Sequence, residues 1–142
     1  INFKMESKFH LSFAIKNLDE TRDFYVNKLG CSIGREASDW IDINFFGHQL
    51  TAVVRPSLVV PAKFYTGKKA EAPVRHLGAI LLWDDWHAMK AKFERENTEF
   101  QIEPRKLFSG TVGEQMSMFF KDPDGYGIEF KSFEKSDSVF KK

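Results

Sequence analysis

Two short apolar runs, Phe9-His10-Leu11-Ser12-Phe13-Ala14-Ile15 and Arg75-His76-Leu77-Gly78-Ala79-Ile80-Leu81, each carry a His-Leu pair near the start. Their length and residue types predict strands. A helix signal follows each of them. Asn17-Leu18-Asp19-Glu20 offers an N-cap residue with Glu at N3, and Asp84-Asp85 offers a cap with early negative charge. The first helix is expected over about 18–29, burying Leu18, Thr21, Phe24, Tyr25 and Leu29 and ending at Gly30 as a C′ residue. The second is expected over about 85–97, with Trp86, Met89, Lys90 and Phe93 along its inner side.

Three short strands are expected after the first helix, over 32–36, 40–46 and 49–54, with Gly47-His48 as the tight connection between the last two. After the second helix, strands are expected near 99–103, 115–121 and 127–133, the last pair joined by the turn Asp122-Pro123-Asp124-Gly125. The chain therefore reads as an internal duplication, βαβββ twice, of α+β class. The first module spans 8–55, a Pro- and Lys-containing linker 56–73, the second module 74–133 and a loosely ordered polar tail 134–142. The linker is one candidate lid and Ser109-Gly110-Thr111-Val112-Gly113 is another. Residues 1–7 form an N-terminal extension, and Ile1-Asn2-Phe3-Lys4, preceding Met5, is expected to be a non-native addition.

Composition narrows the partner. With 21 Lys and Arg against 20 Asp and Glu, the net charge is +1 and spread along the chain. Neither nucleic acid nor a charged membrane surface is expected, and a small molecule is the expected partner. The longest uncharged apolar stretch, Leu77 to Trp83, is too short to span a bilayer, and the expected location is the cytoplasm. The single Cys31 cannot form an internal disulfide and has no sequence neighbour to activate it, so it is expected to be inert. Fifteen Phe, three Trp and three Tyr are a heavy aromatic load, serving either the core or a pocket wall.

The duplication also organises the candidate chemistry. His10 and His76 hold matching positions in the two modules, and Glu129 is a lone carboxylate in the apolar run Tyr126-Gly127-Ile128-Glu129-Phe130. An unpaired charge there is costly unless compensated, and a divalent metal compensates it. Two imidazoles and one carboxylate leave open positions on an iron-type centre. Aligning Leu50-Thr51-Ala52 with Ile128-Glu129-Phe130 puts Thr51, a poor ligand, opposite Glu129, so three protein ligands are expected. His48, expected in the turn, could be a ligand, a substrate contact or a turn residue; His87 is expected to be an ordinary surface residue. No Ser-His-Asp arrangement, Cys-x-x-Cys pair or phosphate-binding Gly motif is visible.

From residue 8 to 133 the chain resembles the vicinal oxygen chelate superfamily, which includes glyoxalase I, bleomycin and fosfomycin resistance proteins, methylmalonyl-CoA epimerase and extradiol dioxygenases. The resemblance is carried by His10 with Asn17 to Tyr25 and Leu29-Gly30, and by Asp122-Pro123-Asp124-Gly125-Tyr126-Gly127-Ile128-Glu129-Phe130. It implies two βαβββ modules curling into an open half-barrel mixed sheet with helices outside, frequent homodimers, and metal-ligand roles for His10, His76 and Glu129. Glyoxalase-type and epimerase-type members carry a further carboxylate where this chain has Thr51, whereas the dioxygenase type has none. The run Phe45-Phe46-Gly47-His48-Gln49 looks like that of single-domain dioxygenase-like members. The resemblance therefore implies extradiol-type chemistry on non-haem Fe(II), with a small aromatic substrate binding through vicinal oxygens. Phe13, Trp40, Phe45 and Phe119 are expected to wall the substrate, and His48 and Tyr65 to position or deprotonate it. One departure is the absence of the second-module His and Tyr that handle protons in such enzymes, Tyr65 being the nearest substitute. The alternatives are a glyoxalase-like or epimerase-like lyase or isomerase using Zn, Ni, Co or Mn, and a non-catalytic drug-binding protein.

Overall fold

The computed structural model describes residues 5–64 and 71–142 and divides into two compact units between Val60 and Pro61. In the first unit, β1 (His10–Ile15) leads into α1 (Leu18–Arg22), and β2 (Ser32–Glu36), β3 (Trp40–Phe45) and β4 (His48–Val54) follow. The second unit repeats the plan with β5 (Leu77–Ile80), α2 (Trp83–Arg95), β6 (Ile102–Leu107), β7 (Gln115–Lys121) and β8 (Gly127–Ser132). The two sheets have the same order, β1-β4-β3-β2 and β5-β8-β7-β6, with the first pair parallel and the rest antiparallel. The architecture is α+β, as the internal repeat predicts, with two open, four-stranded mixed sheets.

Local chemistry accounts for the helix boundaries. The Asn17 side chain accepts from the Glu20 amide at 3.0 Å, and Thr21 Oγ1 donates to the Asn17 carbonyl at 2.9 Å. Beyond Arg22 the helix widens into a π-type stretch, Asp23–Lys28, where the Leu29 amide reaches the Phe24 carbonyl. The wider turn buries Phe24 and Tyr25 side by side. Gly30, at φ +80°, then ends the helix in the left-handed region. In the second module α2 starts two residues before the expected position, with Leu82 at the N-cap and no side-chain cap. Asp84 and Asp85 instead occupy the first turn, where their charge faces the positive end of the helix dipole.

Three expectations change. The strand expected near 99–103 runs over Ile102–Leu107 instead, because β6 is an edge strand and its register shift between Ile102 and Arg105 accommodates Pro104. The hairpin turn is Phe46-Gly47, with φ of 51° and 91°, so His48 is the first residue of β4, paired with Phe45. Asn44 Oδ1 accepts the Gly47 amide at 2.8 Å and holds that turn. The tail, expected to be loose, carries a 3₁₀ turn over Ser136–Phe140.

Each sheet packs one face on its helix. In the first module Ile15, Ile41, Ile43, Phe45, Leu50 and Ala52 are buried with Phe24 and Tyr25. In the second, Phe93 of α2 meets Phe120 and Phe130, and Trp86 Nε1 donates to the Phe130 carbonyl at 2.9 Å. Strand alternation sends the polar set to the opposite face: His10, Ser12, Asp42, Asn44, Gln49 and Thr51 in one module, Ser117, Glu129 and Lys131 in the other.

Candidate metal centre

Glu129 sits in the middle of β8 and is only 7% exposed. Its register partner on β7 is Phe119, and Ser117, two residues away on the same face, donates from Oγ to Glu129 Oε1 at 2.8 Å. His76, just before β5, brings Nε2 within 3.0 Å of Glu129 Oε2. The other nitrogen, Nδ1, lies 2.6 Å from the Pro73 carbonyl. A carbonyl only accepts, so Nδ1 carries a hydrogen. Nε2 then faces the carboxylate either as a charged donor or as a lone pair, and two lone pairs at that separation need a cation between them. An imidazole oriented by a backbone carbonyl on its far nitrogen is the arrangement that supports metal ligation. The donor chemistry of His76 and Glu129 therefore fits a divalent ion.

Neighbouring groups shape the pair. Phe119 meets the His76 ring edge to face at 5.0 Å, and Phe64 meets Phe119 at 6.3 Å. Gly78 lets β5 approach β8 closely, because a Cβ there would lie 1.7 Å from the Glu129 carbonyl oxygen. Lys131 places Nζ 3.7 Å from Glu129 Oε2, the oxygen that His76 Nε2 also faces. A cavity of about 230 Å³ opens between His76, Gly78, Ile80, Glu129 and Lys131.

In the first module His10 is exposed at the start of β1, in register with Gln49, and Ser12 is in register with Thr51. Gly78 pairs with Glu129 in the same way, so Thr51 occupies the position equivalent to Glu129. Thr51 Oγ1 donates to Asp42 Oδ1 at 2.7 Å. Phe13 and Phe45 lie on the helix side, with ring centroids 6.1 and 6.3 Å from Tyr25, on the face opposite His10. Trp40 is half-buried and shares the strand face of Asp42. His48 accepts the Phe9 amide on Nδ1 at 2.9 Å. His87 is exposed on α2 against Trp83 and Trp86. Tyr65 lies outside the described residues.

Among the described residues, no three His, Cys, Asp or Glu side chains gather closely enough to hold an ion. The pair His76–Glu129 is what the second module assembles by itself. Sequence reasoning missed Ser117, Lys131 and Asp42; strand parity places each on its polar face, where Ser117 and Asp42 find partners through cross-strand register and Lys131 reaches Glu129 along its own strand.

Cys31 is buried, and that burial pushes its thiol up to about 11. Folded protein is therefore expected to react with Ellman's reagent at pH 8 far more slowly than urea-unfolded protein, read as absorbance against time. Because the folded state keeps its proton where the unfolded state has lost it, this group's contribution to stability is present below about pH 9 and is lost as pH rises towards 11.

Two repeated modules, each a four-stranded mixed sheet with one polar face and a His at or just before its first strand, define a duplicated βαβββ fold. Residues 9–130 match the model of the Glyoxalase/Bleomycin resistance protein/Dioxygenase superfamily, and the chain belongs to that family. A glyoxalase/bleomycin resistance protein/dioxygenase from Alicyclobacillus acidocaldarius is 26% identical, with TM-score 0.76 over 94% of this chain and 96% of that one. The fosfomycin resistance protein FosX from Listeria monocytogenes shares the fold at 13% identity and TM-score 0.68, over 94% of this chain and 98% of that one. Lactoylglutathione lyase from Agrobacterium tumefaciens shares it at 13% identity and TM-score 0.64, over 93% and 97%. No curated protein matches in sequence. No helix among the described residues is long and apolar enough to cross a membrane.

Proposed function

We propose that the protein is a metal-dependent enzyme of this family that holds a small substrate through two adjacent oxygens, with His10, His76 and Glu129 as the protein ligands. The observation that supports this best is the His76–Glu129 pair, with Nδ1 committed to Pro73 and Nε2 directed at the carboxylate. When bound, the ion supplies Lewis acidity and open positions for substrate oxygens and O₂. Fe(II) and extradiol-type chemistry are the favoured reading, because Thr51 stands where lyase-type members carry a further carboxylate. A homodimer is the expected assembly.

The protein's own groups take defined parts. Pro73 keeps the His76 ring turned and its Nδ1 proton in place. Ser117 keeps Glu129 Oε1 occupied, leaving Oε2, which faces His76 Nε2, as the oxygen that would take the ion. Phe119 and Phe64 give the site an apolar flank suited to an aromatic ring. In its neutral form His48 has Nδ1 occupied by the Phe9 amide, so Nε2 bears hydrogen and positions substrate by donating. Tyr65 remains the candidate for handling the substrate proton.

Protein reconstituted anaerobically with Fe(II) is expected to consume oxygen with at least one catechol, measured with an oxygen electrode, and to lose that activity with chelator. Absence of uptake across catechols and related diols, with activity on a hemithioacetal under Zn, Ni, Co or Mn, would move the assignment to the lyase or isomerase branch. Lys131 favours a different second reading, a non-catalytic drug-binding protein, because its ammonium offsets the Glu129 charge without a metal. That reading predicts ligand binding unchanged by chelator.

A further inference from the structure

Two buried polar atoms of the second module, Arg105 Nε and Gln115 Oε1, have no hydrogen-bond partner among the described residues. Native folds leave few such atoms, so each calls for a group that the chain does not supply. Arg105 is half-buried on the edge strand β6 and makes no ion pair among the described residues. Gln115 is only 8% exposed; its Nε2 donates to the Gly113 carbonyl at 3.3 Å, and its Oε1 is left over.

Strand register places both residues on the face of the candidate metal centre. Beyond the register shift in β6, Arg105 pairs with Ser117 and Leu107 with Gln115, while Phe119 pairs with Glu129. Register partners share a face and so do residues two apart, so Arg105, Gln115, Ser117 and Glu129 project from one side of the sheet. The Ser117 hydroxyl donating to Glu129 Oε1 lies on that side. Gln115 is the diagonal neighbour of Arg105, about 7–8 Å away and within reach of long side chains. Glu129 lies two strand spacings across and two residues along from Arg105, about 12 Å between backbone positions. One metal ion, one aromatic ring and one hydrogen bond in sequence cover that distance.

Charge gives the ligand its sign. Glu129 already faces Lys131 and His76, and Arg105 has no counter-ion among the described residues. A divalent ion would make the face more positive still. A single unpaired guanidinium matches a monoanion, and its planar Nε–Nη edge matches the two oxygens of a carboxylate. A carboxylate seated there takes the Nε hydrogen that the chain leaves unused. A water donating both to that carboxylate and to Gln115 Oε1 satisfies the other buried atom.

We propose that the substrate carries a carboxylate at the end away from the chelated oxygens, and that Arg105 binds it and so sets the charge of the substrate accepted. This deepens, and rests on, the reading of His76 and Glu129 as metal ligands, yet the two fail in different measurements.

Calorimetric titration with protocatechuate and with its neutral amide, on Mn(II)-loaded and on chelator-treated protein, tests it. The acid should bind about tenfold or more tightly than the amide in both states, because hydrogen bonds between charged groups are the strong ones. Arg105→Gln should erase that preference while leaving affinity for the amide within about twofold, and Arg105→Lys, which keeps the charge without the fork, should recover part of it. Gln115→Glu sets a carboxylate of the chain itself beside Arg105 and should also erase the preference, without lowering the melting temperature. Equal affinity for acid and amide, no binding of the acid, or a preference that survives Arg105→Gln would each overturn the proposal whatever the metal does. Affinities unchanged by chelator, with the preference intact, would overturn the metal reading and leave Arg105 as the carboxylate site.

Discussion

Glu129→Gln protein is expected to bind divalent metal about 100-fold or more weakly than wild type, measured by calorimetry with Mn(II) and by elemental analysis after anaerobic loading with Fe(II). The amide keeps the size of the carboxylate and can still accept from Ser117, so the sheet should hold while the charge that attracts the ion is lost. His76→Ala should give a similar loss through the other donor. Lys131→Gln separates a metal centre from a self-compensated ion pair. Lys131 Nζ lies 3.7 Å from the oxygen that His76 also approaches, so it competes with any cation placed there. Its removal should strengthen metal binding about tenfold if the site is a metal centre, since a like charge at this range costs that much. If Lys131 is instead the sole counter-charge, Lys131→Gln should leave metal uptake undetectable and lower the melting temperature. Retention of full metal stoichiometry by both Glu129→Gln and His76→Ala would remove this pair from the ligand set.

Gly78→Ala is expected to be the most damaging single methyl in the second module. The added Cβ would sit 1.7 Å from the Glu129 carbonyl oxygen and 2.7 Å from its carbonyl carbon, and both atoms are backbone. No side-chain rotation relieves such a clash, so β5 must move off β8 and the four pairs from Leu77–Ile128 to Ile80–Lys131 are disturbed. The cost should be about 3 kcal/mol or more, at the upper end for overpacking, read as a drop in melting temperature of about 10 °C. Because His76 enters the site from just ahead of Gly78 on the same chain segment, metal affinity should fall with stability. Gly30→Ala provides the comparison: its φ of +80° strains an L residue, but nothing lies within 4 Å, so about 1 kcal/mol and no effect on metal is expected. If the two variants melt together, the close approach of β5 and β8 is not tightly held.

Strand parity explains much of what the residues disclose by themselves. His10 and Phe13 are three residues apart on one strand and so must face opposite ways; the same holds for Asp42 and Phe45. Phe13 and Phe45 accordingly pack on Tyr25, a placement that the alternation alone implies. Pro104 misled in a different way. It argues against a strand interior, yet the edge position and bulge of β6 spare its missing N–H, and neither is visible in a short window of residues. His48 moved from turn to strand because Phe46 adopts the positive φ that the sequence offered more naturally to a Gly-His step.

The βαβββ repeat, the Asn17 cap, the Gly30 exit and the equivalence of Thr51 with Glu129 were determined by sequence alone, since each rests on local propensity or on the period of two. The partners of the polar groups were decided by tertiary structure. Whether Glu129 meets Ser117 and Asp42 meets Thr51 depends on register across the β7–β8 and β3–β4 hairpins, and which nitrogen of His76 carries hydrogen depends on where the chain ahead of β5 brings the Pro73 carbonyl. In the pair that carries the functional reading, His76 and Glu129, the residue types were legible. Their 3.0 Å approach was not, because it requires Pro73 to hold one nitrogen and Gly78 to let two parallel strands close.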